Sequence, residues 1–474
     1  MSNLTRSNVT QGALKALGIF GGVQMITIIC SILRTKLIAI WIGAVGVGLF
    51  GIFNSAIELL SVIFHLGIRD SAVRDIASSK QPNTNRLIII VRRWALILGA
   101  IGLIAIVALS PLLSNFTFNN YNYTYAFIAI AFIIFLSSIQ NGELAILQGT
   151  KQLSRLGKAS VWGTVIGVII SIPMFYYWGI DSVIPALIVY SLATTIAVLS
   201  QRNIIAKPVP KIPLKETIDK GKSIISLGIF LTASMIVNNL VAYLFMTYLN
   251  NVGDTSIVGH FQAGFTLVNK YMGIIFTAII MEYYPRLSQV STSAKRTSIF
   301  VSHEMTIALW ILVPVISIFI ASSQLIIKIL YSSEFIVILP FIVWAAIGTI
   351  FRAISWCMAY VILARGDGRI FLLTESLSAI TCLTLNIVAY TYWGLNGLGV
   401  AYVVWYLIYM LIVGIIYRFR YNLSLGKGVL RLALLSTFVA LISIVGYFVL
   451  GWYIPAAIGT IFIPIAIRRI LRKK

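Results

Sequence analysis

Apolar runs long enough to cross a bilayer recur along almost the whole 474-residue chain, the first beginning near Leu14 and the last near Trp452. About fourteen such runs can be separated, each near the twenty residues that a helix needs to span the hydrocarbon core. Backbone polar groups find no water there, so each run must satisfy its own hydrogen bonds, and the helix does this within one segment. The fold class that follows is an all-α polytopic membrane protein. Basic residues then orient the spans. All but five of the 36 Lys and Arg residues fall in alternate connections or at the termini. These are the start (Arg6, Lys15), the second connection (Arg69, Arg74, Lys80, Arg86, Arg92, Arg93), the Lys151–Lys158 turn, the linker Arg202–Lys222, and four later segments that end on Arg468–Lys474. The intervening connections are nearly bare of charge. Lys and Arg are retained on the cytoplasmic side, so both termini of this multi-pass membrane protein are expected there.

The same figures exclude other classes. With 59% hydrophobic and 10% charged residues the chain is no ordinary soluble domain, and its net charge of +23 reads as topology and contact with anionic membrane lipids, not as nucleic-acid affinity. No cleavable leader is visible. Cys30, Cys357 and Cys382 lie inside spans and show no metal spacing. There is no phosphate-binding glycine loop, zinc signature or nucleophile elbow, and no connection has room for a catalytic domain. A cofactor, ATP and an enzymatic activity are therefore not expected.

Organisation follows from the connections. The longest basic, proline-bearing one divides the chain into a six-helix lobe over 1–202, a linker over 203–223, a second six-helix lobe over 224–418 and a final helix pair with a basic tail over 419–474. An internal echo supports the pairing of the lobes. VGLFGIFNS (47–55) opens the second span and VGHFQAGFT (258–266) opens the eighth. Transporters are commonly built from such repeats, with the substrate held where they meet.

Polar residues inside the spans point to a transport path. A charge at a helix centre costs about 2.5–3.5 kcal/mol, so Arg34, Glu58, Lys270, Arg352 and Glu375 are expected to face a wet interior or one another. Gln24, Thr27, Ser31 and Arg34 share one helical face, as do Asn54, Glu58, Ser61 and His65. Gln262, Thr266, Asn269 and Lys270 mark the eighth span, Asn238 and Asn239 the seventh, and Glu375, Ser378, Cys382 and Asn386 the eleventh. Interhelical hydrogen-bond glue is the competing account for the neutral residues. Arg34, near its helix end, either faces the cavity or snorkels to the interface. Glu58 with Lys270, and Arg352 with Glu375, are the expected ion pairs. Glu143, Glu282 and Glu304 are expected to be solvated near the basic ends.

These segments resemble a family. LRTKLIAIWIGAVGVGLFGIFNS (33–55) and HLGIRDSAVRDIA (65–77) are similar to the first spans of polysaccharide flippases of the multidrug/oligosaccharidyl-lipid/polysaccharide exporter superfamily. VGHFQAGFTLVNKYMGIIFTAIIMEYYPRLSQ (258–289) and AYVILARGDGRIFLLTESLS (359–378) resemble the corresponding parts of Wzx-type O-antigen translocases. The resemblance implies two six-helix lobes in a V shape that open alternately, and a cargo oligosaccharide linked to undecaprenyl diphosphate. Arg34, Lys270 and Arg352 would then bind the diphosphate. Phe50, Phe261, Tyr271 and Trp356 are candidates to stack on sugar, though packing is the plainer account of each. Polysaccharide polymerase and assembly proteins are the implied protein partners. A drug/cation antiporter of the same superfamily is the nearest alternative, and a membrane glycan polymerase or ligase a more distant one.

Overall fold

The computed structural model describes residues 2–79, 83–202, 212–213, 216–218 and 229–471. Within that range, the side chains of residues 2–20, 70, 229–231, 270–271, 274–275, 277–282 and 427 lie outside the described set. Helices account for nearly all of it, and no strand occurs among the described residues. By contact the chain forms two compact units, Met1–Thr255 and Ser256–Lys474.

The first unit begins with α1 (Ser2–Trp41) and α2 (Gly43–His65). It continues with α3 (Ile68–Ser78), α4 (Asn83–Phe118), α5 (Thr124–Gly149), α6 (Leu153–Trp178), α7 (Val183–Ser200) and α8 (Ile229–Val252). The pairs α4–α5 and α6–α7 run alongside each other, and α8 lies on α2 and α4. In lipid there is little hydrophobic gain from joining helices, so close backbone approach through small residues does the work. A Cβ on Gly142 would stand 2.8 Å from the Ala95 Cβ, and one on Gly163 would stand 2.8 Å from the Thr194 Cα. The seventh expected span, α8, is tied to this unit by hydrogen bonds. The hydroxyls of Thr117 and Tyr243 bond to each other, and Asn250 Nδ2 donates to the Thr117 carbonyl at 3.0 Å.

In the second unit, α9 (Thr255–Thr266) runs through a π turn (Leu267–Tyr271) into α10 (Gly273–Val290). Then follow α11 (Ala294–Leu330), α12 (Leu339–Ala364), α13 (Gly368–Ile415), α14 (Lys427–Leu450) and α15 (Tyr453–Leu471). The final pair packs on α11.

Eleven helical stretches among the described residues are long and apolar enough to cross a membrane. Two of them, Leu153–Ser200 and Gly368–Arg420, are far longer than one crossing requires. Each is broken by a glycine, Gly179 (φ 53°, ψ −129°) and Gly394 (φ 59°, ψ −148°). A side chain disfavours this positive φ, so the two turns use the same device. Each glycine follows a Tyr-Trp pair, Tyr177-Trp178 in one and Tyr392-Trp393 in the other. This second echo strengthens the match between halves. With α9–α10 as the eighth span, the layout agrees with the fourteen-span expectation.

The ends of the helices differ in chemistry. Tyr177, Trp178, Tyr392, Trp393, Trp452 and Tyr453 are all exposed and flank turns that carry no Lys or Arg. Such rings settle at a membrane–water boundary. At the basic ends, α3 is a short amphipathic helix where the sequence pattern suggests only a connection. Its Ile68, Ala72 and Ile76 are buried, the latter two packed with Ile88, Val91, Ala145 and Ile146.

Candidate functional site

Polar side chains of α1, α2, α5, α6 and α7 in the first unit enclose a cavity of about 450 Å³. Gln24, Thr27, Asn54, Gln140, Tyr190 and Thr194 are among its walls. Several of these spend a donor on their own helix. Asn54 Nδ2 donates to the Phe50 carbonyl at 2.8 Å, and the Thr27 hydroxyl donates to Val23 at 2.9 Å. The free amide oxygen of Asn54 and the whole amide of exposed Gln24 are left to face the void. Arg34 stands behind the Tyr190 wall. Its guanidinium carbon lies 4.6 Å from the Phe50 ring centroid and 4.9 Å from that of Tyr190. Its Nε is enclosed without a hydrogen-bond partner, and no carboxylate pairs with it among the described residues. Aromatic faces partly offset the desolvation of the cation, but they leave the enclosed Nε–H unused.

A second cavity, of about 460 Å³, lies at the basic end of the same unit, with His65, Asn141, Gln148 and Thr232 in its wall. His65 is buried, 3.3 Å from both the Ser137 hydroxyl and Asn141 Nδ2. Arg69 lines both cavities. Charge counting along the sequence gives Arg69 only a topological part. Leu66 and Gly67 place it here, because both adopt left-handed conformations (φ 47° and 64°) and turn α3 back beneath α2. Among the described side chains, neither cavity wall includes an Asp or Glu.

The second unit holds Arg352 differently. It is 7% exposed, and its Nη1 donates to Asn269 Oδ1 at 2.9 Å and to the Tyr402 hydroxyl at 3.3 Å. The rings of Phe276, Trp356 and Tyr406 surround it at 5.2, 4.7 and 5.7 Å. The expected Arg352–Glu375 pair is not formed, because Glu375 accepts a 2.5 Å hydrogen bond from Tyr409, on the other limb of α13. Ser378, one turn on, accepts from Trp405 Nε1 at 3.0 Å. The eleventh-span stripe is thus bonded to the twelfth span. Lys270 falls in the π turn, and its side chain lies outside the described residues, as does that of Tyr271. Glu58 is exposed on α2, Asn238 is exposed on α8 and donates to Ser234 at 2.9 Å, and the Gln262 amide oxygen is enclosed without a donor. Phe261 stacks on Phe341.

Residues 46–340 match the family described as polysaccharide biosynthesis protein. The chain belongs to this family. No curated protein sequence matches it. Among solved structures, lipid II flippase MurJ in an inward closed conformation superposes with a TM-score of 0.73 at 14% identity, over 95% of this chain and 99% of that one. An inward-facing multidrug resistance MATE family transporter of the MOP superfamily gives 0.67 at 16%, over 82% and 94%. A MOP superfamily transporter from Pyrococcus furiosus, described by the reverse polarity of its binding pocket, gives 0.51 at 16%, over 86% and 96%. At these identities the likeness is one of fold.

Glu143 corrects a further expectation for this family member. It is not solvated at the interface: its side chain is 3% exposed, accepts from Arg92 at 2.6 and 3.0 Å and forms an ion pair with Arg202 at 3.0 Å. The neighbouring Arg93 and Trp94 hold the linker, donating to Ile212 and Thr217 at 2.6–3.0 Å.

Proposed function

We propose that the chain is a flippase that moves an oligosaccharide linked to undecaprenyl diphosphate, of O-antigen or similar type, from the inner to the outer leaflet of a bacterial inner membrane by alternating access, both termini being cytoplasmic. One observation carries this reading: the enclosed Nε of Arg34 has no hydrogen-bond acceptor, and its guanidinium no counterion among the described residues, beside a polar cavity whose described wall residues include no acid. A bilayer core rejects a diphosphate and a glycan, while the polyprenyl tail is at home there. Phosphate oxygens would supply what the site lacks, through charge-assisted bonds to Arg34 and to Arg69 at the basic mouth. Lys270 and Arg352 are proposed to take part from the second unit. Gln24, Asn54 and Gln140 offer amides to sugar hydroxyls. Outward movement of each negative charge gains about 2.3 kcal/mol per 100 mV across an inside-negative membrane, which favours export.

The lack of carboxylates among the described wall residues disfavours a drug/cation antiporter, which needs an acid to hold its cation. The test is transport of a fluorescent polyprenyl-diphosphate oligosaccharide in vesicles that contain the purified chain. Accessibility of the glycan on the far leaflet should rise with the intact chain, and Arg34→Ala should abolish the rise. Transport of cationic dyes in place of the lipid-linked glycan would reject the reading. In cells depleted of the protein, lipid-linked repeat units should collect on the cytoplasmic leaflet.

A further inference from the structure

On the side of α6 and α7 away from the polar cavity there is an apolar groove of about 420 Å³. Trp162, Ile166 and Ile170 of α6 face Val189, Leu192 and Ile196 of α7 across it. It is closed off from the polar cavity. The two helices meet at Gly163 against Thr194 and at Gly167 against Tyr190, where an added Cβ would stand 2.8 Å from its neighbour in each case. The groove is therefore open to the membrane and sealed from the path assigned to the cargo. At its basic end stand Lys158, Ser200 and Gln201. Lys158 is exposed and pairs with no carboxylate among the described residues. From Lys158 to Ile170 the helix rises roughly 18 Å at 1.5 Å per residue. That is close to the depth of one leaflet, half of the ~30 Å hydrocarbon core. An apolar channel one leaflet deep, with a free ammonium and two amide or hydroxyl groups at its mouth, has the chemistry of one lipid molecule with an anionic head.

We propose that the α6–α7 groove is a binding site for an anionic glycerophospholipid of the leaflet at the basic ends, its acyl chain along Trp162, Ile166 and Ile196 and its phosphate on Lys158. The bound lipid braces the back of the wall that presents Tyr190 to Arg34. The occupant is a bilayer lipid and not the cargo, since the glycine contacts leave no opening through which a tail in the groove could share a molecule with a diphosphate in the cavity.

Fluorescence quenching tests this on the full-length chain in phosphatidylcholine vesicles. Brominated phosphatidylglycerol is compared with brominated phosphatidylcholine as quencher, and the signal of Trp162 is taken as the difference between the unaltered chain and Trp162→Phe. Phosphatidylglycerol should quench Trp162 preferentially at low mole fraction. Lys158→Gln should reduce that preference about fivefold, the worth of one basic residue near a membrane surface, and Lys158→Arg should keep it. Equal quenching by the two lipids, or an unchanged preference in Lys158→Gln, overturns the site. Relief of the quenching by an equimolar polyprenyl diphosphate also overturns it and assigns the groove to the cargo.

Discussion

Arg34→Met separates a binding role from a structural one. A charge at a helix centre costs about 2.5–3.5 kcal/mol in the membrane. Against this stand two aromatic contacts, at 4.6 and 4.9 Å, each worth about 0.5–2 kcal/mol. Among the described residues no ion pair and no bond to Nε adds to them. The balance leaves Arg34 between about 1.5 kcal/mol favourable and about 2.5 kcal/mol unfavourable for the resting protein. Methionine fills similar space without charge. The variant should unfold between about 6 °C below and about 10 °C above the parent, taking about 2–4 °C per kcal/mol for a unit of this size. Transport should fall whichever way the melt moves. Loss of a charge-assisted bond to phosphate is worth about 1.5–3 kcal/mol, or roughly a 10- to 100-fold fall in rate at limiting substrate. The assay pairs a thermal melt in detergent with initial rates in vesicles, both normalised to folded protein. A melt lowered by more than about 6 °C, with the rate per folded molecule unchanged, would mean that Arg34 holds the fold together, and the reasoning would fail.

Glu143→Gln should behave in the reverse manner: removal of one member of a buried pair costs about 3–5 kcal/mol, whereas Arg92→Met with Glu143→Met should cost far less than either alone, as read from the melts. Gly348→Ala should lower transport as well as stability, because the new Cβ would meet the Tyr402 ring at 2.5 Å and the Tyr402 hydroxyl accepts from Arg352; an overpacking cost of about 1–3 kcal/mol is expected in the melt. Asp367, in the turn before α13, is held below the usual carboxylate range by the Tyr421 hydroxyl at 2.8 Å and by Arg420. Its contribution is present above the ordinary Asp value of 3.8 and is lost as pH falls through the lower folded value. The melting difference between the parent and Asp367→Asn should thus be constant from neutral pH to near 5 and shrink below about 4.

The helical skeleton was readable because bilayer thickness writes itself into run length, whereas the tight reversals at Gly179 and Gly394 came from the backbone angles. Periodicity also reached part of the cavity: Gln24, Thr27 and Asn54 were visible as faces of their helices, and all three border one void. Periodicity within one helix does not say which helix lies opposite. The stripe on the eleventh span is bonded to the twelfth, and Arg352 takes Asn269, 83 residues away, as its acceptor in place of Glu375. Arg69 and Glu143 were misread for a related reason. Both sit where a basic, solvated end was expected, and only a left-handed turn in one case and two converging guanidiniums in the other bring them inside.

The π turn at Leu267–Tyr271 carries one residue more than an α-helix would need, and Asn269 is at its middle. A surplus residue of this kind can pass to the next position along the chain without melting the helix, since each hydrogen bond is exchanged for an equivalent one. Such a step would swing Asn269 by roughly 100° about the axis and carry its amide oxygen off Arg352. A slip of register at one place would then suffice to unlatch a guanidinium from its resting acceptor, ratchet fashion, while every span stays intact.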